Sequence, residues 1–226
     1  MADNDMWTIK AALDWTIGFL ERKGDENPRL SAEWLMSEAT GLSRIELYVN
    51  FERPLTLDER ATLRDFVARR GKGEPLQLIS GKVPFRYITV LVAPNVLIPR
   101  PETEVLVSEA FAELKLPRVA DHVAAGENGE EVVSPELPEL RVVDLCTGSG
   151  CIACSIASEY PAAHVVALDI APEALALAGK NVEVLGLGNR IEVLESDLLG
   201  ALDPGKKGTF DLIVSNPPYV PTKVCD

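Results

Sequence analysis

From residue 141 onward the chain alternates between strand-like and helix-like segments, and this alternation constrains its fold more than any other feature. Short apolar runs predict strands at 141–145, 164–169, 190–194 and 210–214. Helices are predicted near 151–159 and 172–185, and the second begins at Pro172 and ends before Gly186. This order predicts an α/β fold, with a parallel sheet covered by helices on both faces.

The segments before this sheet are predicted to form separate structures. Residues 1–75 predict a helical bundle that recognises a partner, with capping boxes beginning at Ser43 and Thr56. Residues 76–101 predict a β-hairpin linker, with strands near 84–92 and 95–98. The sheet domain would then occupy 102–226, including an acidic stretch at 118–139 that we expect to be a solvated loop.

The first predicted strand of the sheet runs into a glycine-rich turn, Thr147-Gly148-Ser149-Gly150. Glycines suit a tight turn with positive φ and let a ligand approach the backbone closely. Asp169 ends the second strand, where an acid can hydrogen-bond a ribose diol. Together these features predict a site for an adenosine-containing cofactor. The spacing alone leaves the cofactor open, because Gly148, Gly150 and Ala153 also satisfy the dinucleotide pattern.

The last predicted strand ends in Asn216-Pro217-Pro218-Tyr219, a segment suited to holding a planar NH2 group. The prolines fix the backbone at the carboxyl end of a strand, where ligands bind in open α/β sheets. The Asn216 oxygen and a proline carbonyl can each accept one N–H, and Tyr219 can lie against the flat face. This favours methyl transfer to nitrogen over hydride transfer. Asp197, after the third strand, is either an adenine contact or a turn residue.

The segment Ile98-Pro99-Arg100-Pro101-Glu102-Thr103-Glu104 joins the predicted hairpin to a helix. It is either a proline-stiffened entry into that helix or a clamp over an active site. In the second interpretation Arg100 and Glu102 are its polar groups.

Composition excludes several classes of protein. The net charge is −13, with 35 acidic and 22 basic residues. The chain therefore lacks the excess of basic residues that is typical of a nucleic-acid-binding protein. No apolar run reaches the ~18 residues needed to cross a bilayer, and the N-terminus has no signal-peptide pattern, so we expect a cytoplasmic location. The spacing of four cysteines matches an iron–sulfur pattern: Cys146, Cys151, Cys154 and Cys225. Because the strand, glycine turn and helix already account for this spacing, we predict no metal site.

These motifs together resemble the bacterial peptide chain release factor N5-glutamine methyltransferases, the HemK/PrmC family. The resemblance is carried by 97–104, 144–150 and 216–219 and covers nearly the whole chain. It implies a Rossmann-like class I methyltransferase sheet, S-adenosylmethionine as cofactor, and the glutamine of a release factor GGQ motif as acceptor. Implied cofactor contacts are Thr147, Gly148, Ser149, Gly150, Asp169, Asp197, Leu198 and Asn216. Implied acceptor contacts are Asn216, Pro217, Pro218 and Tyr219, of which Asn216, Pro217 and Tyr219 are the catalytic residues.

The chain departs from the family pattern in two ways. Cys146 stands where the family usually has glycine, and its side chain is expected to crowd the cofactor. The family's sheet has the order 3-2-1-4-5-7-6, and only its first four strands are found before Asp226, so we expect a truncated chain. Two alternatives therefore stay open: a nucleic-acid base amino-methyltransferase, and an inactive fragment that binds a release factor.

Overall fold

The computed structural model of the chain describes residues 7–116, 137–206 and 208–218. The chain forms two compact units, Met1–Gly81 and Lys82–Asp226. In the described part of the chain, no helix combines the length and the apolar content needed to cross a membrane. Most of the predicted acidic loop, together with Tyr219 and Cys225, lies outside the described residues.

The first unit is built from amphipathic helices around one apolar core. The helices are α1 (Ile9–Arg22), α2 (Pro28–Thr40), α3 (Arg44–Val49), α4 (Leu57–Arg70) and α5 (Leu76–Ser80). Both predicted capping boxes are confirmed, because Ser43 and Glu46 cap α3 reciprocally and Thr56 and Glu59 cap α4 in the same way. The core contains Ile9, Leu20, Leu35, Met36 and Leu47, none of which is exposed.

The second unit opens with a β-hairpin whose predicted limits were wrong. The strands are β1 (Lys82–Phe85) and β2 (Ile88–Leu91), paired antiparallel, rather than 84–92 and 95–98. Arg86 makes the turn with a φ of 50°, a conformation that is usually adopted by glycine and that the sequence therefore does not predict here. Residues 76–80, predicted to enter the hairpin, form α5 and end at Gly81, whose φ of 74° terminates the helix.

The rest of the second unit is a parallel sheet with alternating helices, as predicted. Its elements are α6 (Pro101–Glu113), β3 (Leu140–Leu145), α7 (Cys151–Glu159), β4 (Ala163–Asp169), α8 (Pro172–Val184), β5 (Ile191–Glu195), a 3-10 turn (Pro204–Lys206) and β6 (Leu212–Ser215). The described strands lie in the order β5-β4-β3-β6, which is the order that the resemblance implies. Every predicted strand of this sheet is present to within two residues at each end.

The hairpin is attached to the sheet layer by a buried ion pair. Arg86 donates two hydrogen bonds of 2.6 Å to the Glu159 carboxylate at the end of α7. The Glu159 side chain is only 3% exposed and also accepts a bond from Ser155. Such a pair needs full hydrogen bonding to offset its desolvation, and these bonds supply it.

Candidate active site

A cleft of about 340 Å³ lies at the carboxyl ends of the parallel strands. Register explains its position: Leu145 pairs with Ser215, and Asp169 pairs with Glu195, so the four strands end at one level. The segments that follow the strands therefore meet at one edge of the sheet. From these segments the cleft is lined by Cys146, Thr147, Gly148, Ser149, Ile170, Ser196, Asp197, Leu198, Asn216 and Pro218.

The glycine turn after β3 has the backbone that its sequence predicts. Gly148 and Gly150 have φ values of 56° and 76°, in the left-handed region. A Cβ atom on Gly150 would lie 3.1 Å from Ala178 Cβ, so glycine also allows α7 and α8 to pack closely here. Cys146 has a φ of 57° without being glycine, which strains its backbone.

Asp169 shapes the turn from the neighbouring strand. Its Oδ2 accepts a 2.8 Å bond from the Gly148 N–H, and its Oδ1 accepts a 3.0 Å bond from the Ala171 N–H. A carboxylate has about four acceptor positions, so further hydrogen-bond donors can still be accommodated. Asp169 lines the cleft, where its carboxylate can accept hydrogen bonds from hydroxyl groups.

Asp144 lies fully buried beneath the turn. Its Oδ2 accepts a 2.6 Å bond from the Thr147 hydroxyl and a 3.2 Å bond from the Ala153 N–H, while Oδ1 has no hydrogen-bond partner among the described residues. Burial raises the pKa of this carboxyl from 3.8 to about 7. The Thr147 hydroxyl, predicted as a cofactor contact, is therefore engaged with Asp144 and supports the turn from inside.

The segment after β5 supplies an apolar wall. Leu198 has a φ of 49° and is 61% exposed, and its carbonyl accepts a 2.7 Å bond from the Ser196 hydroxyl. Ile170, after β4, is 63% exposed and lines the same cleft. Large apolar side chains exposed beside a polar turn are typical of a ligand site. Asp197 lines the cleft as well, a position that is compatible both with an adenine contact and with a turn residue.

Asn216 lines the cleft with a fixed side-chain amide. Its Nδ2 donates a 3.0 Å bond to Thr103 Oγ1, and within the described residues this bond leaves the amide oxygen and the second N–H for a ligand. Pro217 is exposed and Pro218 lines the cleft, whereas Tyr219 lies outside the described residues. Asn216 is thus in one cleft with Gly148 and Asp169, the arrangement on which the predicted chemistry depends.

The clamp segment contributes other residues than those singled out in the sequence. Arg100 and Glu102 are exposed and are not among the described residues that line the cleft. From this segment Pro99 and Thr103 line it instead, together with Asn95, Val96 and Leu97, which precede the segment. The role of Arg100 and Glu102 in acceptor binding stays a prediction.

The sequence analysis missed two residues whose hydrogen bonds support the cleft. Thr103 could have been found, because Thr103, Val107 and Phe111 follow one another at helical spacing and form the buried face of α6. Asn181 gave no signal of its own. Its buried side chain bonds Ser149 O, Leu91 O and Leu91 N, at 2.8, 3.1 and 2.7 Å, and so joins α8 to the glycine turn and the hairpin.

The cysteines of the glycine turn are free thiols at Cys146, Cys151 and Cys154. Burial raises the pKa of Cys151 to about 12, so this thiol is protonated near neutral pH. Within the three described ranges, no group of His, Cys, Asp and Glu side chains is arranged to hold a metal ion.

Comparison with known proteins agrees with the motif resemblance. Residues 11–81 match the family model described as PrmC N-terminal domain, and residues 127–225 match the one described as Methyltransferase small domain. The chain is 46% identical to the release factor glutamine methyltransferase of Geobacter sulfurreducens, covering 96% of this chain and 67% of that protein. The corresponding protein of Chlorobaculum tepidum is 39% identical, with 98% and 70% covered.

Two further matches have lower sequence identity. The release factor glutamine methyltransferase of Escherichia coli is 37% identical, covering 88% of this chain and 62% of that protein. A solved structure of the N-terminal domain of human METTL16 in complex with SAH matches with 16% identity and a TM-score of 0.43, covering 92% of this chain and 66% of that one. The chain spans about two thirds of the length of the curated relatives it matches. The chain belongs to the release factor glutamine methyltransferase family.

Proposed function

We propose that this chain transfers a methyl group from S-adenosylmethionine to the side-chain amide nitrogen of the glutamine in a release factor GGQ motif. The observation that carries the proposal is that Asn216, whose side-chain amide is held by Thr103, lines the same cleft as Gly148 and Asp169. In this proposal, the residues that hold the methyl donor and the residue that holds the acceptor amide belong to one cleft. A cytoplasmic location stays a prediction.

The residues of the cleft fit an adenosine-containing methyl donor. A Cβ atom at Gly148 would point toward Val96 at 3.9 Å, so the glycine leaves a cradle that a side chain would narrow. Asp169 would accept the ribose hydroxyls, and the exposed faces of Ile170 and Leu198 would cover the adenine. When bound, S-adenosylmethionine supplies an electrophilic methyl group on a sulfonium.

The chain's own contribution to the reaction is alignment. An amide nitrogen is a poor nucleophile, and we propose that Asn216 Oδ1 and the Pro217 carbonyl accept its two N–H groups and fix its direction. Asn216 accepts hydrogen bonds and takes no proton. The amide nitrogen would bond the methyl carbon as the carbon–sulfur bond breaks, which would leave S-adenosylhomocysteine, and the nitrogen would then lose one proton to water. Tyr219 would pack against the amide plane. Alignment of this kind can lower a barrier by roughly 7–11 kcal/mol.

The direct test is transfer of a labelled methyl group to a release factor, with Asn216→Ala as the site variant. We expect the variant to lose about 100-fold in kcat, as when one preorganised hydrogen-bonding group is removed. Asn189→Ala, at an exposed asparagine outside the cleft, is the matched control and should keep the wild-type rate. Full activity of Asn216→Ala would overturn the amide-holding mechanism.

The nucleic-acid alternative is disfavoured by charge. A protein with a net charge of −13 gains little from phosphate contacts. Excess RNA should therefore leave methyl transfer to the release factor unchanged. Labelling of RNA in place of the release factor would favour the base amino-methyltransferase.

We further propose that the first unit recognises the release factor through an aromatic groove of about 330 Å³. Trp15 is half exposed and stacks on Phe19 at 5.3 Å, and Trp7 meets Trp15 edge-on at 6.1 Å. Arg60 and Arg64, one helical turn apart on α4, line the same groove. Aromatic anchors flanked by arginines suit an acidic segment with an apolar anchor.

The groove is tested by Trp15→Ser. We expect this variant to raise KM for the release factor about tenfold, because an interface anchor is lost, and to leave kcat unchanged. Ile45→Ser, at a 77% exposed apolar residue of the same unit, serves as the control. An unchanged KM in Trp15→Ser would contradict this assignment.

A further inference from the structure

A buried carboxyl group that the proposed mechanism does not use lies beneath the glycine turn, at Asp144. The residue has no exposed surface, and Oδ1 has no hydrogen-bond partner among the described residues. Its other oxygen, Oδ2, accepts the bonds from the Thr147 hydroxyl and the Ala153 N–H. A buried carboxylate with an unsatisfied oxygen is costly, so a positive charge nearby would stabilise its ionised form.

Asp144 lies directly behind the wall of the cleft. Thr147, whose hydroxyl bonds the carboxyl group at 2.6 Å, lines the cleft, and so do Cys146 and Cys151. The medium between Asp144 and a ligand in the cleft is therefore protein rather than bulk water. Opposite unit charges about 10 Å apart attract strongly enough, at the effective dielectric constant of about 20 that suits proteins, to change an affinity roughly tenfold.

The surroundings of Asp144 supply no such positive charge within the described residues. The charged group that acts on it is Asp169, at the end of β4, which is a second carboxylate and disfavours ionisation. On the other side, β6 pairs Val214 with Asp144 and contains no charged residue. From the glycine turn and α7 the titratable neighbours are thiols, and burial raises the pKa of each: Cys146, Cys151 and Cys154.

Because of this burial, Asp144 can change its charge near neutral pH. Its pKa is raised to about 7, so both forms of the carboxyl group are populated there. A cation in the cleft would favour the ionised form and lower this pKa, whereas a ligand without that charge would leave it unchanged. By linkage, the cation would then bind more tightly as the pH rises.

S-Adenosylmethionine and S-adenosylhomocysteine differ by one methyl group and by the positive charge on sulfur. We propose that Asp144 is a specificity-determining residue that makes the cleft prefer the sulfonium donor over the thioether product. The inference rests on the proposed function, since it concerns the donor side of the same site. Once the methyl group has left, the ligand has lost the charge that the Asp144 carboxylate attracts, which favours exchange of the product for a new donor.

The test is calorimetric titration of both ligands between about pH 5.5 and about pH 8, with Asp144→Asn as the site variant. Asparagine keeps an oxygen that can accept the bonds from Thr147 and Ala153 but cannot ionise. In the wild type we expect the preference for S-adenosylmethionine, the ratio of the two Kd values, to rise about five- to tenfold over this range. In Asp144→Asn the ratio should rise less, by the amount that the ligands' own amino groups contribute in both proteins.

Two comparisons separate this effect from general damage. Asp58→Asn removes the same charge at an exposed position of the first unit and should keep the wild-type dependence on pH. The affinity of Asp144→Asn for S-adenosylhomocysteine should stay close to that of the wild type, because this ligand lacks the sulfonium charge. A disturbed cleft would instead bind both ligands less well.

A measurement on the wild type alone serves if Asp144→Asn does not fold. Calorimetry at pH 6.5 in two buffers of different ionisation enthalpy counts the protons released, below the usual pKa of the ligands' amino groups. We expect S-adenosylmethionine to release a fraction of a proton and S-adenosylhomocysteine to release none.

If both ligands bind but the Kd ratio depends on pH equally in the wild type and in Asp144→Asn, or both ligands release the same number of protons, the inference is overturned and the proposed function stands. If the wild type binds neither ligand, the proposed function fails, and the inference fails with it.

Discussion

At the scale of single residues, the site depends on backbone conformations that most side chains avoid. Cys146, Gly148 and Gly150 all have φ between 56° and 76°, within five residues of sequence. The two glycines adopt these values without strain, whereas a residue with a Cβ atom has to be held there by its surroundings. The glycines therefore predicted the turn correctly, whereas the positive φ of Cys146 could not be predicted from the sequence.

Replacing Cys146 by glycine should relieve this strain. We expect Cys146→Gly to raise the free energy of unfolding by about 0.5–1 kcal/mol, because the left-handed conformation costs more with a Cβ atom than glycine loses in chain entropy. Urea denaturation measures the change. Cys154→Gly, inside α7, is the control and should destabilise the protein. Equal destabilisation by both substitutions would contradict the strain at Cys146.

Asp144 should make stability depend on pH. Its pKa is about 7 in the folded protein and near 3.8 when unfolded, so the unfolded chain ionises first as the pH rises. The stability associated with the neutral carboxyl is present below pH 3.8 and is lost as the pH rises toward 7.

Asp144→Asn copies the neutral form and should therefore gain stability relative to the wild type as the pH rises from 3.8 to about 7. Unfolding by urea at several pH values measures this difference, and other titrating groups largely cancel between the two proteins. A difference that stays constant over this range would show that Asp144 is ionised throughout.

At the scale of elements, Asn181 links three pieces of chain that are far apart in sequence. Its side chain accepts a hydrogen bond from the Leu91 N–H and donates hydrogen bonds to Leu91 O and to Ser149 O in the glycine turn. Without it, buried backbone groups would lose their partners, and each such group costs about 1–3 kcal/mol. The shape of the glycine turn is thus set partly from α8 and the hairpin.

Asn181→Ala should consequently affect both stability and ligand binding. We expect a loss of about 2–3 kcal/mol in the free energy of unfolding and a weaker affinity for S-adenosylhomocysteine. Denaturation and calorimetry measure the two effects. Asn189→Ala, at an exposed position, should change neither. Wild-type ligand affinity in Asn181→Ala would show that the turn keeps its shape unaided.

Elements were predictable where local patterns determine them. The parallel strands and the capped helices follow from apolar periodicity, capping residues and glycines, all of which lie within a few residues. The predicted limits of the hairpin strands were wrong because Arg86 makes the turn with a positive φ, which residues other than glycine rarely adopt. The contacts of Thr103 and Asn181 could not be predicted either, since they join segments that only the folded sheet brings together.

At the scale of the whole molecule, the two units suit different tasks. The first unit carries an aromatic groove with two arginines, and the second carries the polar cleft at the sheet edge. The strongly acidic composition fits a protein acceptor better than a nucleic acid. Everything proposed for the acceptor depends on the cleft first holding a nucleoside methyl donor.

Calorimetric titration with S-adenosylhomocysteine tests that dependence most directly, with Asp169→Ala as the site variant and Asp58→Ala, at an exposed position of the first unit, as the control. We predict saturable binding at one site, weakened at least about tenfold in Asp169→Ala, which removes the carboxylate proposed to accept the ribose hydroxyls, and unchanged in Asp58→Ala. Absence of binding heat and of any thermal shift, or equal affinity in all three proteins, would contradict the assignment of this cleft.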